Sequence, residues 1–291
     1  MNDQPHLRLN TGANMPALGF GTFAIKPEDT RAAVRTAIET GYRLIDTAAN
    51  YKNEAEVGQA IADSGLDRGE LFVTTKLWIE DYGHEHALRG FEASMEALSL
   101  EYIDLYLLHW PLPMDFERTI AAFNALEPAL ISGRIRALGV SNFNPEHLDE
   151  LSHHTDVVPA VNQVELSPLL SQRVVKAANA SRGIITEAWS PIGGQKRVGD
   201  VLRNSSIASI AEKHGKTPIQ VVLRWHIQQG NVVIPRSINP DHIASNFDVF
   251  GFALTDSEMR AIDGMNINER GGPDPETFDV AAYQKILASR S

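Results

Sequence analysis

The chain has 291 residues, 43% hydrophobic and 22% charged, an ordinary composition for a globular protein able to bury a large core. A formal net charge of -11 argues against a general nucleic-acid binder, whose phosphate contacts need a basic face, but allows a small anion in a local cationic pocket. The absence of cysteine excludes disulfides, thiolate zinc sites and cysteine nucleophiles together. The first residues, MNDQPHLRLNTG, have neither the basic nor the apolar region of a signal peptide, and no apolar run is long enough to span a membrane. The expected compartment is the cytoplasm.

In chain order, residues 6–16 (HLRLNTGANMP) read as a small hairpin turning at Thr11-Gly12. Runs rich in Val, Ile and Leu then predict strands near 17–21, 42–46, 71–76, 103–108, 136–140, 159–163, 184–188 and 231–234. Amphipathic segments between them predict helices near 28–40, 54–63, 84–98, 117–132, 145–153, 171–181, 206–229 and 240–247. Local punctuation agrees: Asn144-Pro145 and Asn239-Pro240 each place a capping side chain before proline, and Gly41 and Gly183 follow helix ends. Strands apolar on both faces, each followed by a helix, imply a parallel sheet covered by helices, and eight such units match an α/β fold of the (β/α)8 TIM-barrel type. The hairpin is then placed to close the barrel's N-terminal end. No Pro/Gly/Ser-rich linker interrupts the pattern, so residues 1–291 are read as a single domain. After a short helix near 255–263, the tail from Met265 contains GGPDPETF and little periodicity, and is either a mobile extension or a loop over the active face.

Chemistry in such a barrel sits at the C-terminal strand ends. The polar residues there are Asp46, Lys76, His109, Ser141-Asn142, Gln163 with Glu165, Trp189-Ser190 and Arg236-Ser237. Asp46, Lys76 and His109 close consecutive strands, so their side chains can converge, with Tyr51 reaching in from the loop after Asp46. A lysine beside a tyrosine favours phenolate over phenol, and an aspartate keeps that lysine charged, so a group titrating ordinarily at about 10 is expected to act as an acid nearer neutrality. Each residue also has a plain reading. Asp46 could cap a helix, Tyr51 could be a rim aromatic, His109 a core histidine and Trp189 a core aromatic. Lys76 could instead form a Schiff base, as in barrel aldolases. The histidine pairs His84/His86 and His153/His154 lack a third ligand nearby, so no metal site is expected.

Two segments bear on a nucleotide. Gly19-x-Gly21-x-x-Ala24 imitates a dinucleotide fingerprint with Asp46 as the ribose acid, but the following helix begins only around Pro27-Glu28, too late for its N-terminus to hold a pyrophosphate. The stretch IPRSINPDHIASN (234–246) is the better phosphate site: Asn239-Pro240 start a helix whose free N–H groups face an anion, and Arg236 adds a cation.

Over nearly its whole length the chain resembles the aldo-keto reductase family. The resemblance is carried by GFGTF (19–23), GYRLIDTAANYKNEAEVG (41–58), TTKLW (74–78), DLYLLHWP (104–111), IRALGVSNF (135–143), NQVELSP (162–168), AWSP (188–191) and IPRSINPDHIASN. In style it is similar to short-looped bacterial members related to 2,5-diketogluconate reductase. The resemblance implies a reductase of aldehydes and ketones with a tetrad of Asp46, Tyr51, Lys76 and His109: Tyr51 donates the proton, Lys76 and Asp46 tune it, and His109 orients the carbonyl. It implies NADPH as coenzyme, with nicotinamide against Trp189, its carboxamide on Ser141, Asn142 and Gln163, the 2′-phosphate against Arg236 and Ser237, and adenine near Asn246. Gly21, Thr22, Asp46, Ser190 and Pro191 complete the expected coenzyme contacts, and Phe23, Tyr51, Trp78, His109, Trp110 and the tail the expected substrate cleft. The expected partner is a small carbonyl compound, the expected state a monomer. A nucleotide-binding regulatory relative with little turnover is the competing reading within the family.

Three positions depart from the family pattern: Arg236 stands where lysine is usual, His242 where arginine is usual, and Ser167 where histidine is common. A neutral His242 would loosen the grip on a 2′-phosphate, so some use of NADH is expected. Short loops after strands 4 and 7 are expected to leave the pocket open and broadly accepting.

Overall fold

Residues 4–288 are described by a computed structural model. Strands β1 (His6–Arg8) and β2 (Asn14–Pro16) pair antiparallel, with Leu7 opposite Met15. Leu9 and Met15 pack against Leu44, Phe72, Leu105, Val161 and Val232, at or near the beginnings of the barrel strands. The hairpin therefore plugs the N-terminal end of the barrel, as its position in the sequence anticipates.

The barrel strands are β3 (Gly19–Gly21), β4 (Leu44–Asp46), β5 (Phe72–Leu77), β6 (Leu105–Leu108), β7 (Leu138–Ser141), β8 (Val161–Glu165), β9 (Ile185–Trp189) and β10 (Val232–Val233). All their pairings are parallel, and spatial order follows chain order. The ring closes between first and last: Leu18 bridges Val233, Val233 N donates to Ala17 O at 3.0 Å, and Gly21 N donates to Pro235 O at 3.1 Å. The strands are buried on both faces, as parallel strands under helices must be.

The surrounding helices are α1 (Pro27–Thr40), α2 (Glu54–Asp63), α3 (His84–Leu98), α4 (Phe116–Ile131), α5 (Pro145–Ser152), α6 (Arg173–Ser181), α7 (Gly194–Leu202), α8 (Ser205–His214), α9 (Pro218–Gln228), α10 (Pro240–Phe247), α11 (Asp256–Asp263) and α12 (Val280–Ala288). None of them is long and apolar enough to cross a membrane.

Two expectations change, and one open alternative is resolved. The segment 206–229 is two helices: Gly215, at φ +62°, ends α8 in a conformation that costs a residue without Cβ nothing, and Thr217 caps α9 ahead of Pro218. The connection after β9 is not a short loop but carries α7, whose Arg197 forms an ion pair with Glu269 of the tail. Of its two expected forms the tail takes the folded-over one, and the last described residues form α12.

Candidate active site

Strand register sets the first constellation. Asp46 ends β4 opposite Thr74, and Lys76 follows two residues later on β5, on the same face of the pleat as Thr74. Lys76 Nζ donates to Asp46 Oδ1 at 2.7 Å and Oδ2 at 2.8 Å, to Thr47 O at 2.9 Å, and to Tyr51 Oη at 3.3 Å. Lysine and aspartate are both buried, so each needs the other. Burial pulls the Lys76 ammonium down, but contact with the Asp46 carboxylate outweighs it and holds the lysine protonated.

Tyr51 closes a 3-10 turn, Ala49–Tyr51, that runs straight into a left-handed Lys52. That turn is braced by Asn53, which is fully buried. Asn53 Nδ2 donates to Thr22 O at 3.1 Å and Ile25 O at 3.2 Å, and its Oδ1 accepts from Thr47 Oγ1 at 3.0 Å. Thr22 in turn donates through N and Oγ1 to Asp46 O. The Tyr51 hydroxyl does not behave as expected from its neighbours alone. Burial pushes it up to about 12, and the opposing pull of Lys76 is the smaller effect. It is a phenol that keeps its proton.

His109 follows β6, edge-on to Trp78 at 5.1 Å and to Tyr51 at 5.7 Å between ring centres. Burial and the adjacent Lys76 charge hold its titration well below the usual histidine range, so it is a neutral imidazole.

A second set continues from the first without a break. Gln163 Nε2 donates to Asp46 Oδ2 at 2.8 Å and to Glu187 Oε2 at 2.8 Å. Ser141 Oγ donates to Gln163 O at 2.8 Å. Asn142 Nδ2 donates to His109 O at 3.0 Å, and Asn142 Oδ1 accepts from Trp189 Nε1 at 2.8 Å. Ser190 turns the chain in a left-handed conformation at φ +48°, and Pro191 O accepts from His226 at 3.0 Å. Ser167 has a structural account: it makes a tight turn with Leu170, and its hydroxyl accepts from Leu169 N at 3.3 Å.

The tail roofs this floor. Gly271 N and Gly272 N donate to the Glu165 carboxylate at 2.7 and 3.1 Å. A Cβ on Gly272 would sit 2.5 Å from the Trp189 ring, so only glycine permits that approach. Phe278 lies 4.1 Å over Trp110, Tyr283 lies 4.6 Å from Trp78, and the Tyr283 hydroxyl donates to Asn50 Oδ1 at 3.0 Å. Trp78 and Trp110 are thereby buried, whereas Phe23 is 52% exposed at the mouth.

Arg236 and Ser237 precede α10, His242 lies in its first turn and Asn246 in its last. Arg236 and His242 are exposed and enter no ion pair among the described residues; Asn246 is buried. The helix end differs from the expectation of free amides. Asn239 Oδ1 accepts from Asp241 N at 2.8 Å and His242 N at 3.4 Å, and Asp241 adds a negative charge to the first turn. An anion there would depend on side chains more than on the helix end.

Two residues of the site are absent from the sequence reading, Asn53 and Glu187. Glu187 carried a legible signal, an acid inside the apolar strand IITEAW. Glu165 was recognised at a strand end, but its hold on the tail depends on residues over a hundred positions away.

A parallel eight-stranded barrel with a lysine, a carboxylate, a tyrosine and a histidine at its C-terminal strand ends is the architecture of a family of oxidoreductases. Residues 17–267 match the aldo/keto reductase family, and the chain belongs to it. It is 50% identical to morphine 6-dehydrogenase of Pseudomonas putida, over 97% of this chain and 98% of that one. It is 48% identical to 9,11-endoperoxide prostaglandin H2 reductase of Trypanosoma cruzi, over 93% of this chain and 94% of that one. The crystal structure of a Gox0644 mutant in complex with NADPH superimposes with a TM-score of 0.90 at 42% identity, covering 95% of this chain and 99% of that one.

Proposed function

We propose that the protein reduces aldehydes and ketones to alcohols with NADPH, using NADH less well, and that Tyr51 is the proton donor. The observation that carries this reading is the Lys76 ammonium held between the Asp46 carboxylate and the Tyr51 hydroxyl at 3.3 Å. The chain's own groups fit a nicotinamide nucleotide. Gln163 has both amide hydrogens engaged, which leaves its oxygen as an acceptor for a carboxamide. Trp189 offers an indole plane beside Ser141 and Asn142. Arg236 and His242 enter no ion pair among the described residues and are able to meet a phosphate. The neighbour bound to NADPH supports the same coenzyme.

When bound, the nicotinamide supplies hydride to the carbonyl carbon. Tyr51 gives its proton to the carbonyl oxygen, and Lys76 stabilises the phenolate left behind. A phenol titrating near 12 still serves, because the oxygen that gains charge as hydride arrives is a far stronger base than phenolate. Neutral His109 cannot act as the acid and instead orients the carbonyl, while Trp78, Trp110, Phe23 and the tail exclude water around it. The relatives are named for molecules as unlike as morphine and prostaglandin H2, which supports a cleft selective by shape rather than by one polar contact.

The Schiff-base reading of Lys76 is weakened by geometry, since an amine bound by both oxygens of a buried carboxylate is protonated and not nucleophilic. The deciding experiment follows NADPH oxidation with nitrobenzaldehyde and isolates the alcohol. Absence of turnover, together with borohydride trapping of a lysine adduct, would replace the reductase reading with the aldolase.

A further inference from the structure

β9 carries an acid into the barrel interior. Glu187 is fully buried, on the same face of the strand as Trp189 and one step deeper. Its Oε2 accepts from Gln163 Nε2 at 2.8 Å, and its Oε1 has no hydrogen-bond partner among the described residues. The charged groups facing it are Asp46 from β4 and Lys76 from β5, with Tyr51 beyond the lysine; β8 contributes the neutral Gln163. The two carboxyl groups are not equivalent. Asp46 has both oxygens on the lysine, while Glu187 has one neutral donor and an orphaned oxygen. A carboxylate in that position is stripped of water and repelled by Asp46, whereas a carboxylic acid leaves only one O–H unmet.

We propose that Glu187 is a positioning residue of the reductase site: an uncharged carboxylic acid at neutral pH that holds the Gln163 amide against Asp46 and keeps the cage beneath Tyr51 free of a second negative charge. Burial, followed by the Asp46 charge, pushes its carboxyl up to about 8, in keeping with that assignment. Gln163 is then clamped through both amide hydrogens, with its oxygen left as the free acceptor. If Glu187 loses its proton, the lysine is outnumbered by two carboxylates and Tyr51 becomes a weaker acid. Only the consequence for turnover rests on the carbonyl-reductase reading; the protonation state does not.

The test begins with wild-type protein alone, without coenzyme or substrate. Labelling the glutamate side-chain carboxyls with carbon-13 and titrating by NMR is expected to reveal a resonance with its midpoint near pH 8, lost in Glu187→Gln. Should that variant not fold, Glu187→Asp serves for the assignment. A wild-type spectrum in which no glutamate titrates above pH 7, or a high-titrating signal that survives the substitution, overturns the proposal. Stability gives an independent reading. The folded state keeps this proton between the ordinary glutamate value of 4.5 and about 8, while the unfolded chain has lost it, so wild type loses stability across that window as pH rises. The Tm of Glu187→Gln should therefore gain on wild type through that window and the gap stay constant above it; a gap independent of pH overturns the assignment. In turnover, the alkaline fall of kcat should move to higher pH in Glu187→Gln while KM for the coenzyme at neutral pH is unchanged, and an unmoved limb overturns the positioning role. Intact titration with no carbonyl reduction in any variant would instead sink the reductase reading and leave Glu187 a buried acid.

Discussion

The floor of the barrel and the start of α10 both gather charge, and they do it in opposite ways. At the floor, Lys76, Asp46, Gln163 and Glu187 are buried and joined by hydrogen bonds between 2.7 and 2.8 Å. At α10, Arg236 and His242 stand in solvent without an ion pair among the described residues, and the helix amides are already capped by Asn239. The floor is preorganised in a dry setting where a misplaced charge is costly, which suits a group that must stabilise charge during reaction. The rim has an arginine and an imidazole with no ion pair among the described residues, which suits capture of an anion and leaves selectivity to whichever side chains stand there. Substitutions that break the Lys76–Asp46 pair at the floor should therefore damage chemistry and folding together, and those at the rim should change coenzyme affinity alone.

The largest effect is expected from Tyr51→Phe. It removes the proposed proton donor and little packing, so carbonyl reduction should fall by about 10²- to 10⁴-fold with NADPH affinity nearly unchanged. Most of the wild-type rate surviving in a single-turnover assay would remove Tyr51 from the mechanism. Lys76→Met comes next and should separate floor from rim most clearly. It strands Asp46 in the interior, where breaking a buried pair costs about 3–5 kcal/mol, so urea unfolding should shift strongly as activity collapses. A variant of wild-type stability would mean that the pair is not the structural unit its geometry implies.

At the rim the expected changes are smaller and confined to binding. Arg236→Ala should weaken NADPH binding roughly tenfold to a hundredfold, the loss of one charge-assisted contact, without moving Tm or NADH affinity. Equal losses for the two coenzymes would show that Arg236 meets the pyrophosphate instead, and no loss for either that it meets neither. His242→Arg should raise the NADPH-over-NADH ratio of kcat/KM by about tenfold. A ratio indifferent to His242→Arg places residue 242 outside the phosphate site.

Much of this molecule is decided locally and is legible residue by residue. Strand and helix periods, Asn-Pro caps and the count of eight units specify the barrel, because each depends on neighbours within a few positions. Asp46, Lys76 and His109 are brought to one mouth by strand register alone, which is why their convergence is legible in the sequence. The break inside 206–229 was also written locally, in Gly215 and Thr217-Pro218, and was hidden by apolar periodicity running through it. What the tertiary structure alone decided is non-local. The tail lies over the site because Glu165, Asn50, Trp78 and Trp110 meet Gly271, Gly272, Tyr283 and Phe278 across more than a hundred residues. The proton on Tyr51 follows the same rule: its lysine neighbour was visible in sequence, but desolvation is a sum over every group that displaces water, and that sum reversed the expected direction. Glu187 is the extreme case, an acid whose charge depends on which strand its side chain faces and on a carboxylate 141 residues earlier in the chain.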